Sequence, residues 1–197
     1  MANQKVVFAR GKKVILRPLR KETDLEPCVR WFNDPKVTQY LTFYLPLTRH
    51  EESEWFDNLG KRDDELVFAI GTLKGEFIGT VGFHEIHPSD RTATCGIVIG
   101  EKGRRGANWE RGFGTDAMML LLNYGFNTLN LRKINALVFA PNRRSLRCCL
   151  KCGYEIEGRR RLQRYRNGVY HDELVLAVFK ENWLPIWERY HLTSGVK

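Results

Sequence analysis

A strand, a glycine-rich loop, a helix and a second strand follow one another in the chain, and this order limits the possible folds. Ala93–Ile99 and Ile134–Phe139 are apolar strand-like segments, and Thr115–Asn127 has apolar residues at helical spacing. A helix between two strands carries the chain back across a sheet, so the two strands are predicted to pair in parallel. The chain is therefore predicted to form an α/β (α+β) protein with a single mixed central sheet flanked by helices.

The other segments add strands and helices on both sides of this unit. Further strands are predicted at Val14–Pro18, Leu66–Thr72, Phe77–Ile86, Glu155–Tyr165 and Val169–Phe179. Further helices are predicted near Val29–Phe32, at Pro35–Leu41, from Thr48, at Ser145–Lys151 and at Trp183–Tyr190. Thr23–Glu26 is predicted to cap the first helix, and Thr48 with Glu51 forms a capping box. Asn167-Gly168 is the strongest hairpin signal.

Length and composition exclude several classes of protein. The 197 residues are 43% hydrophobic and 28% charged, which is typical of a globular protein and excludes long disorder. We predict one domain over residues 1–197, with its core at about 14–183. The longest apolar runs fall far short of the ~20 residues that a membrane span needs. Five irregularly spaced cysteines and no secretory signal predict reduced thiols and a cytoplasmic location.

The glycine-rich loop is the segment that most favours a ligand. Gly112 and Gly114 allow close approach to the backbone, and the N–H groups at the start of the following helix attract anions. With a net charge of +9, the chain favours anionic partners such as a pyrophosphate. A plain strand-to-helix turn would use the same glycines. The loop lacks the Lys-Ser/Thr of the GxxxxGK[ST] phosphate loop.

Several motifs, in order, resemble those of the GNAT N-acetyltransferases. They are Arg17-Pro-Leu, Trp31-Phe-Asn-Asp-Pro, Ile78-Gly-Thr-Val-Gly-Phe-His-Glu-Ile, Gly112-Phe-Gly-Thr-Asp-Ala, Pro141-Asn-Arg-Arg-Ser and Lys151-Cys-Gly-Tyr-Glu-Ile-Glu-Gly. The chain is most similar to the branch with ribosomal-protein-alanine and spermidine acetyltransferases. The resemblance spans about residues 14–183, and the GNAT fold is expected.

The resemblance implies that acetyl-coenzyme A is the acetyl donor. The acceptor would be a primary amine of a protein N-terminus, a polyamine or another small amine, which attacks directly in a ternary complex. The backbone of Ile97, Val98 and Ile99 would pair with the pantetheine arm. The loop of Trp109, Arg111, Gly112, Phe113, Gly114 and Thr115 would enclose the pyrophosphate, and Asn142 would lie near the pantetheine. The other interpretation of Asn142 is a helix cap.

The resemblance leaves the catalytic groups open. His84 and Glu85 are candidates for the base, and because adjacent strand residues face opposite sides, at most one is expected to face the cleft. Cys149 occupies the position of a tyrosine that is thought to protonate the thiolate in many relatives, and Ser145 is the other candidate acid. The alternatives are a surface pair for His84 and Glu85, packing for Cys149 and a helix cap for Ser145.

Two features depart from the family pattern. Glu110 replaces a usual glycine, and the Gly103–Asn108 segment is longer than expected, with Arg104 and Arg105 as candidate phosphate ligands.

Parts of the sequence suggest three other functions. Clustered arginines at 159–161 and 143–144 could bind nucleic acid, but no nucleic-acid motif accompanies them, so this partner is disfavoured. Cys149-x-x-Cys152 lacks the second ligand pair of a zinc site, and we predict no metal. A GNAT-like domain that binds acetyl-coenzyme A without catalysis is the third alternative. We expect no membrane partner, and a homodimer remains open.

Overall fold

A computed structural model describes residues 6–43, 45–100 and 111–192. The strands are β1 (Ala9–Arg10), β2 (Val14–Pro18), β3 (Leu66–Thr72), β4 (Phe77–His87), β5 (Thr92–Ile99), β6 (Lys133–Phe139), β7 (Glu155–Arg166) and β8 (Val169–Phe179). The helices are α1 (Lys21–Phe32), α2 (Pro35–Thr38), α3 (Arg49–Asp57), α4 (Phe113–Asn127), α5 (Arg143–Lys151) and α6 (Lys180–Leu192). Trp109, Glu110 and the Gly103–Asn108 segment lie outside the described residues.

The strands form one mixed sheet in the order β1-β2-β3-β4-β5-β6-β8-β7. Every neighbouring pair is antiparallel except β5 and β6, which are parallel as the crossover through α4 predicted. These two strands pair only from Thr92 with Lys133 to Thr94 with Asn135. Beyond Thr94 the two strands no longer pair, and this opening in the sheet creates a cleft between them.

The main core lies between the sheet and α4. Ala117, Leu121, Leu122 and Phe126 are fully buried there, and burial of such side chains contributes about 1.5–3 kcal/mol for each large one. A smaller core joins α1 to α3 through Leu25, Cys28 and Phe56. In the part of the chain that the structure describes, no helix has the length and apolar character to cross a membrane.

Two local sequence signals predicted a helix cap and a hairpin turn correctly. The Thr48 side chain accepts from the Glu51 backbone while the Glu51 carboxylate accepts from the Thr48 N–H, which is the predicted capping box. Asn167 and Gly168 both have positive φ, at 50° and 81°, as a type I′ hairpin turn requires.

The predicted start of the first helix was wrong. Helix α1 begins at Lys21, before the proposed cap at Thr23–Glu26. The Asp24 carboxylate instead accepts two hydrogen bonds from the Arg17 guanidinium, at 2.6 and 2.8 Å, and one from the Arg20 N–H at 2.9 Å. A buried arginine on β2 therefore determines the role of Asp24, and no local pattern encodes that contact. The second helix also ends earlier than predicted, at Thr38.

Candidate active site

The diverging ends of β5 and β6 open into a cavity of about 1000 Å³. Residues of β4, β5 and β6 line its floor and sides, the first turn of α4 and one face of α5 line one end, and α1 to α3 with the following loop line the other. One cavity therefore extends from the start of α4 to a chamber lined by α1 to α3.

The start of α4 lies against the diverging end of β5. Gly112 precedes α4 with φ of +83°, a left-handed conformation that glycine adopts without strain. A Cβ built at Gly114 would lie 3.7 Å from both Ile97 Cδ1 and Cys148 Sγ, which places Gly114 at the cavity wall. The Lys13 ammonium donates to the Arg111 carbonyl at 2.7 Å and secures the loop. The first N–H groups of a helix lack acceptors within it, so this end suits an anion.

Among the described residues, the Ile97–Ile99 segment of β5 pairs with a strand on its β4 side only. Ile97 pairs with Val81, Val98 with Thr80 and Ile99 with Gly79, all on the β4 side. The β5–β6 ladder has already ended at Thr94, so the other edge of this segment borders the cavity. An extended, amide-containing ligand could pair there as an added strand.

Asn142 is the N-cap of α5 and also lines the cavity. Its Oδ1 accepts from the Ser145 N–H at 3.1 Å, so the capping interpretation of Asn142 is confirmed. The alternative that Ser145 is the cap was wrong, because Ser145 is the third residue of the helix. The Ser145 side chain lies at the cavity wall, one turn before Cys149, and hydrogen-bonds to its thiol.

Cys149 is buried, and Cys148 beside it is partly exposed to the cavity. Burial is the main cause that raises the pKa of the Cys149 thiol, which therefore stays protonated. The pKa of Cys148 is lowered, chiefly by a hydrogen bond with Cys152, and Thr115 Oγ1 also donates to Cys148 Sγ at 3.6 Å.

His84 and Glu85 both line the cavity, so the expectation that at most one would face it was wrong. The β4–β5 register shifts between His84 and His87, and Glu85 has φ of 51°, so the strand bulges at this point. His84 Nδ1 lies 2.9 Å from Glu65 Oε1, and the Glu85 carboxylate accepts from Thr94 Oγ1 at 2.9 Å. The bulge breaks the alternation on which the expectation depended.

Glu52 of α3 is a cavity residue that the sequence analysis missed. It is 4% exposed, and desolvation raises the pKa of its carboxyl group from 4.5 to about 7. Four cavity carboxyl groups come from the side of α3, β3 and β4: Glu51, Glu52, Glu65 and Glu85. Three basic cavity residues, Arg144, Arg147 and Lys151, come from α5. Lys36 of α2 and Arg164 of β7 also line the cavity, so carboxyl groups predominate on the side of α3, β3 and β4 and basic groups on the side of α5.

A mixed sheet whose parallel strands diverge beside a helix that begins after a glycine, with one cavity at the opening, is the arrangement of an acyl-coenzyme A acyltransferase. Residues 13–155 match the family model of the acetyltransferase (GNAT) domain. The chain belongs to the GNAT family of N-acetyltransferases, whose members use acetyl-coenzyme A.

Two relatives and one solved structure illustrate the match. The uncharacterized N-acetyltransferase YoaA of Bacillus subtilis is 36% identical over 105 residues, which are 53% of this chain and 56% of that protein. The spermidine N(1)-acetyltransferase of Escherichia coli K12 is 29% identical over 183 residues, 92% of each chain. The crystal structure of the Vibrio cholerae spermidine N-acetyltransferase with CoA and spermine has a TM-score of 0.78 at 24% identity. It covers 87% of this chain and 98% of that one, and it supports the fold.

Proposed function

We propose that this enzyme transfers the acetyl group of acetyl-coenzyme A to a small, cationic primary amine. The observation that carries the proposal is the single cavity in which the glycine-started helix and basic face of α5 lie at one end and four carboxyl groups at the other. The first end suits the phosphates of coenzyme A, and the second suits an ammonium group.

The residues at the first end fit coenzyme A. The cavity-lining backbone of Ile97, Val98 and Ile99, on the side away from β4, would pair with the amides of the pantetheine arm. The N–H groups of Phe113, Gly114 and Thr115 would face the pyrophosphate, with Arg111, Gly112 and Trp109 completing the loop. Asn142 would border the pantetheine from the start of α5.

The reaction needs a base, an oriented amine and a stabilised carbonyl oxygen. The amine must lose one proton before its nitrogen attacks, and His84, Glu85 and Glu52 are the titratable candidates beside the cavity. A backbone N–H of the Ile97–Ile99 segment would stabilise the negative charge that develops on the carbonyl oxygen. The Ser145 hydroxyl, which lines the cavity, would protonate the departing thiolate, and its hydrogen bond with the Cys149 thiol would orient it.

Acceptor identity is tested by measuring acetyl-coenzyme A consumption with polyamines, amino acids, aminoglycosides and N-terminal peptides. We expect turnover with polyamines such as spermidine, the substrate that the Escherichia coli relative is named for. Binding of coenzyme A without turnover of any amine would favour the non-catalytic alternative. Salt-dependent retention of RNA or DNA with no coenzyme A binding would favour a nucleic-acid protein.

Replacing Cys149 with alanine is expected to lower stability modestly and to change kcat by less than about tenfold. The reason is that the thiol is buried and a thiolate is a good leaving group. Loss of a catalytic acid would instead lower kcat by ~10²-fold or more. The measurement is kcat per folded molecule with the amine found in the panel. Ser145→Ala is the comparison and is expected to lose more. A loss of ~10²-fold in Cys149→Ala with unchanged coenzyme A affinity would make Cys149 the acid.

A further inference from the structure

We propose that the Glu52 carboxylate binds the ammonium group of the acceptor and takes up its first proton. This inference rests on the proposed function and assigns one residue to the amine end of the cavity. The sequence offered no sign of it, since Glu52 lies in an ordinary helical run beside the capping residue Glu51.

The first observation is that Glu52 differs from the other buried acids among the described residues. Asp24 is paired with Arg17, Glu173 with Arg160 and Arg164, and Asp116 with three backbone N–H groups and the Tyr190 hydroxyl. Glu52 Oε1 is buried and has no hydrogen-bond partner within the described ranges 6–43, 45–100 and 111–192. An unpaired buried carboxyl oxygen destabilises a fold unless something else compensates for it.

The second observation is where Glu52 lies. It belongs to the chamber lined by α1 to α3, and the same cavity is also lined by Ile97, Val98 and Ile99 of β5. Cys28 of α1 is close enough that Glu52 raises the pKa of its thiol. The other titratable or charged groups of this chamber are Lys36 and Tyr40 near α2, Glu51 of α3, Glu65, His84 and Glu85 at the ends of β3 and β4, and Arg164 of β7. An ammonium ion in this chamber would balance the charge of the Glu52 carboxylate, which has no cationic side chain paired with it among the described residues.

The proton balance is simple. The ammonium donates one proton to Glu52, which leaves a neutral amine and a carboxylic acid. The nitrogen lone pair forms the N–C bond as the C–S bond breaks, and the second nitrogen proton ends on the coenzyme A sulfur. Glu52 then releases its proton to solvent. Desolvation sets the pKa of Glu52 at about 7, which matches a base that works near neutral pH.

His84 is the rival for the same proton. Its side chain is 45% exposed and its Nδ1 is already paired with Glu65. In the proposed assignment, His84 and Glu65 line the path of the amine. The loss of activity at low pH, which is the acid limb of the pH profile, results from protonation of Glu52.

The test compares Glu52→Gln with Glu54→Gln, a control on the exposed side of the same helix. We expect Glu52→Gln to lower kcat/KM for the amine by ~10²-fold or more and to leave the Kd for coenzyme A unchanged. The wild type and Glu54→Gln should lose activity below about pH 7, and Glu52→Gln should lack this limb. Glu52→Asp, which keeps the charge, should restore part of the activity.

Thermal unfolding gives a readout that does not require turnover. The raised pKa means that the folded state holds a proton which the unfolded state releases, so this contribution is present at low pH and is lost as pH rises through about 7. Between pH 5 and pH 8, Tm should fall more in the wild type than in Glu52→Gln. Spermidine at pH 8 should raise Tm of the wild type and of Glu54→Gln, and should have no such effect on Glu52→Gln.

Two results would overturn the inference. One is a Glu52→Gln enzyme with nearly unchanged kcat/KM and an intact acid limb. The other is loss of that limb in His84→Gln with its retention in Glu52→Gln, which would give the proton to His84. A wild-type enzyme that acetylates no amine would instead refute the proposed function. In that case the Tm measurement still tests Glu52, because an equal Tm response of wild type and Glu52→Gln to spermidine would refute its role in binding the amine.

Discussion

Replacing Asp116 with alanine is expected to lower the free energy of unfolding by roughly 3–5 kcal/mol. The carboxylate lies in the first turn of α4 and is 3% exposed. Its Oδ2 accepts from the backbone N–H groups of Lys13 and Val14 at 2.7 and 2.9 Å, and its Oδ1 accepts from the Lys12 N–H at 3.2 Å and from the Tyr190 hydroxyl. Alanine would leave these donors without their acceptor, and urea denaturation measures the cost.

The matched control for Asp116 is Tyr190→Phe. It removes one of the donors and leaves the carboxylate with its backbone partners, so we expect a loss of only about 1 kcal/mol. If Asp116→Ala lowered the free energy of unfolding no more than Tyr190→Phe, the hydrogen bonds of this carboxylate would not be what holds the start of β2 against the start of α4. That contact matters for the proposed function because the same helical turn lines the cavity at the end proposed for coenzyme A.

Replacing Gly114 with valine is expected to weaken coenzyme A binding by at least about tenfold, which corresponds to ~1.4 kcal/mol. Gly114 has ordinary helical backbone, and a Cβ there would make only normal contacts at 3.7 Å with Ile97 and Cys148. The fold should therefore tolerate the change. The two methyl groups of valine would occupy space between α4 and β5 that the ligand needs, and calorimetry with coenzyme A measures the loss.

Gly158→Val provides the control for Gly114. Gly158 lies on β7, and a Cβ there has no atom within 4 Å, so the same chemical change should leave coenzyme A affinity unaltered. Equal affinities of Gly114→Val and wild type would show that the pyrophosphate does not approach this turn. Gly112 is a less clean probe, because its positive φ would add backbone strain to any effect on binding.

Much of the framework could be predicted from the sequence because it depends on short-range chemistry. Apolar periodicity located β5, α4 and β6, and the crossover between them required the parallel pairing that the structure contains. Asn167-Gly168 fixed the β7–β8 turn through its two positive φ angles. Gly112 and Gly114 led to the prediction that phosphates bind at the start of α4, and the structure brings this turn to the wall of the cavity.

What the tertiary structure decided is which side chains line the end of the cavity that we propose for the amine. Alternation predicted that one of His84 and Glu85 would face away, but a bulge against β5 brings both to the cavity. Asp24 was assigned to a helix end, but Arg17 of β2 holds it in an ion pair.

Glu52 shows the same limit most clearly, because its residue type and spacing are those of a solvated helix face. The packing of α3 against α1 helps to bury it, and within the part of the chain that the structure describes its Oε1 has no hydrogen-bond partner. The sequence by itself determined which segments form strands, helices and turns, since those choices depend on neighbours a few residues away. The structure decided which polar groups lose their water, because desolvation is set by side chains that are distant along the chain.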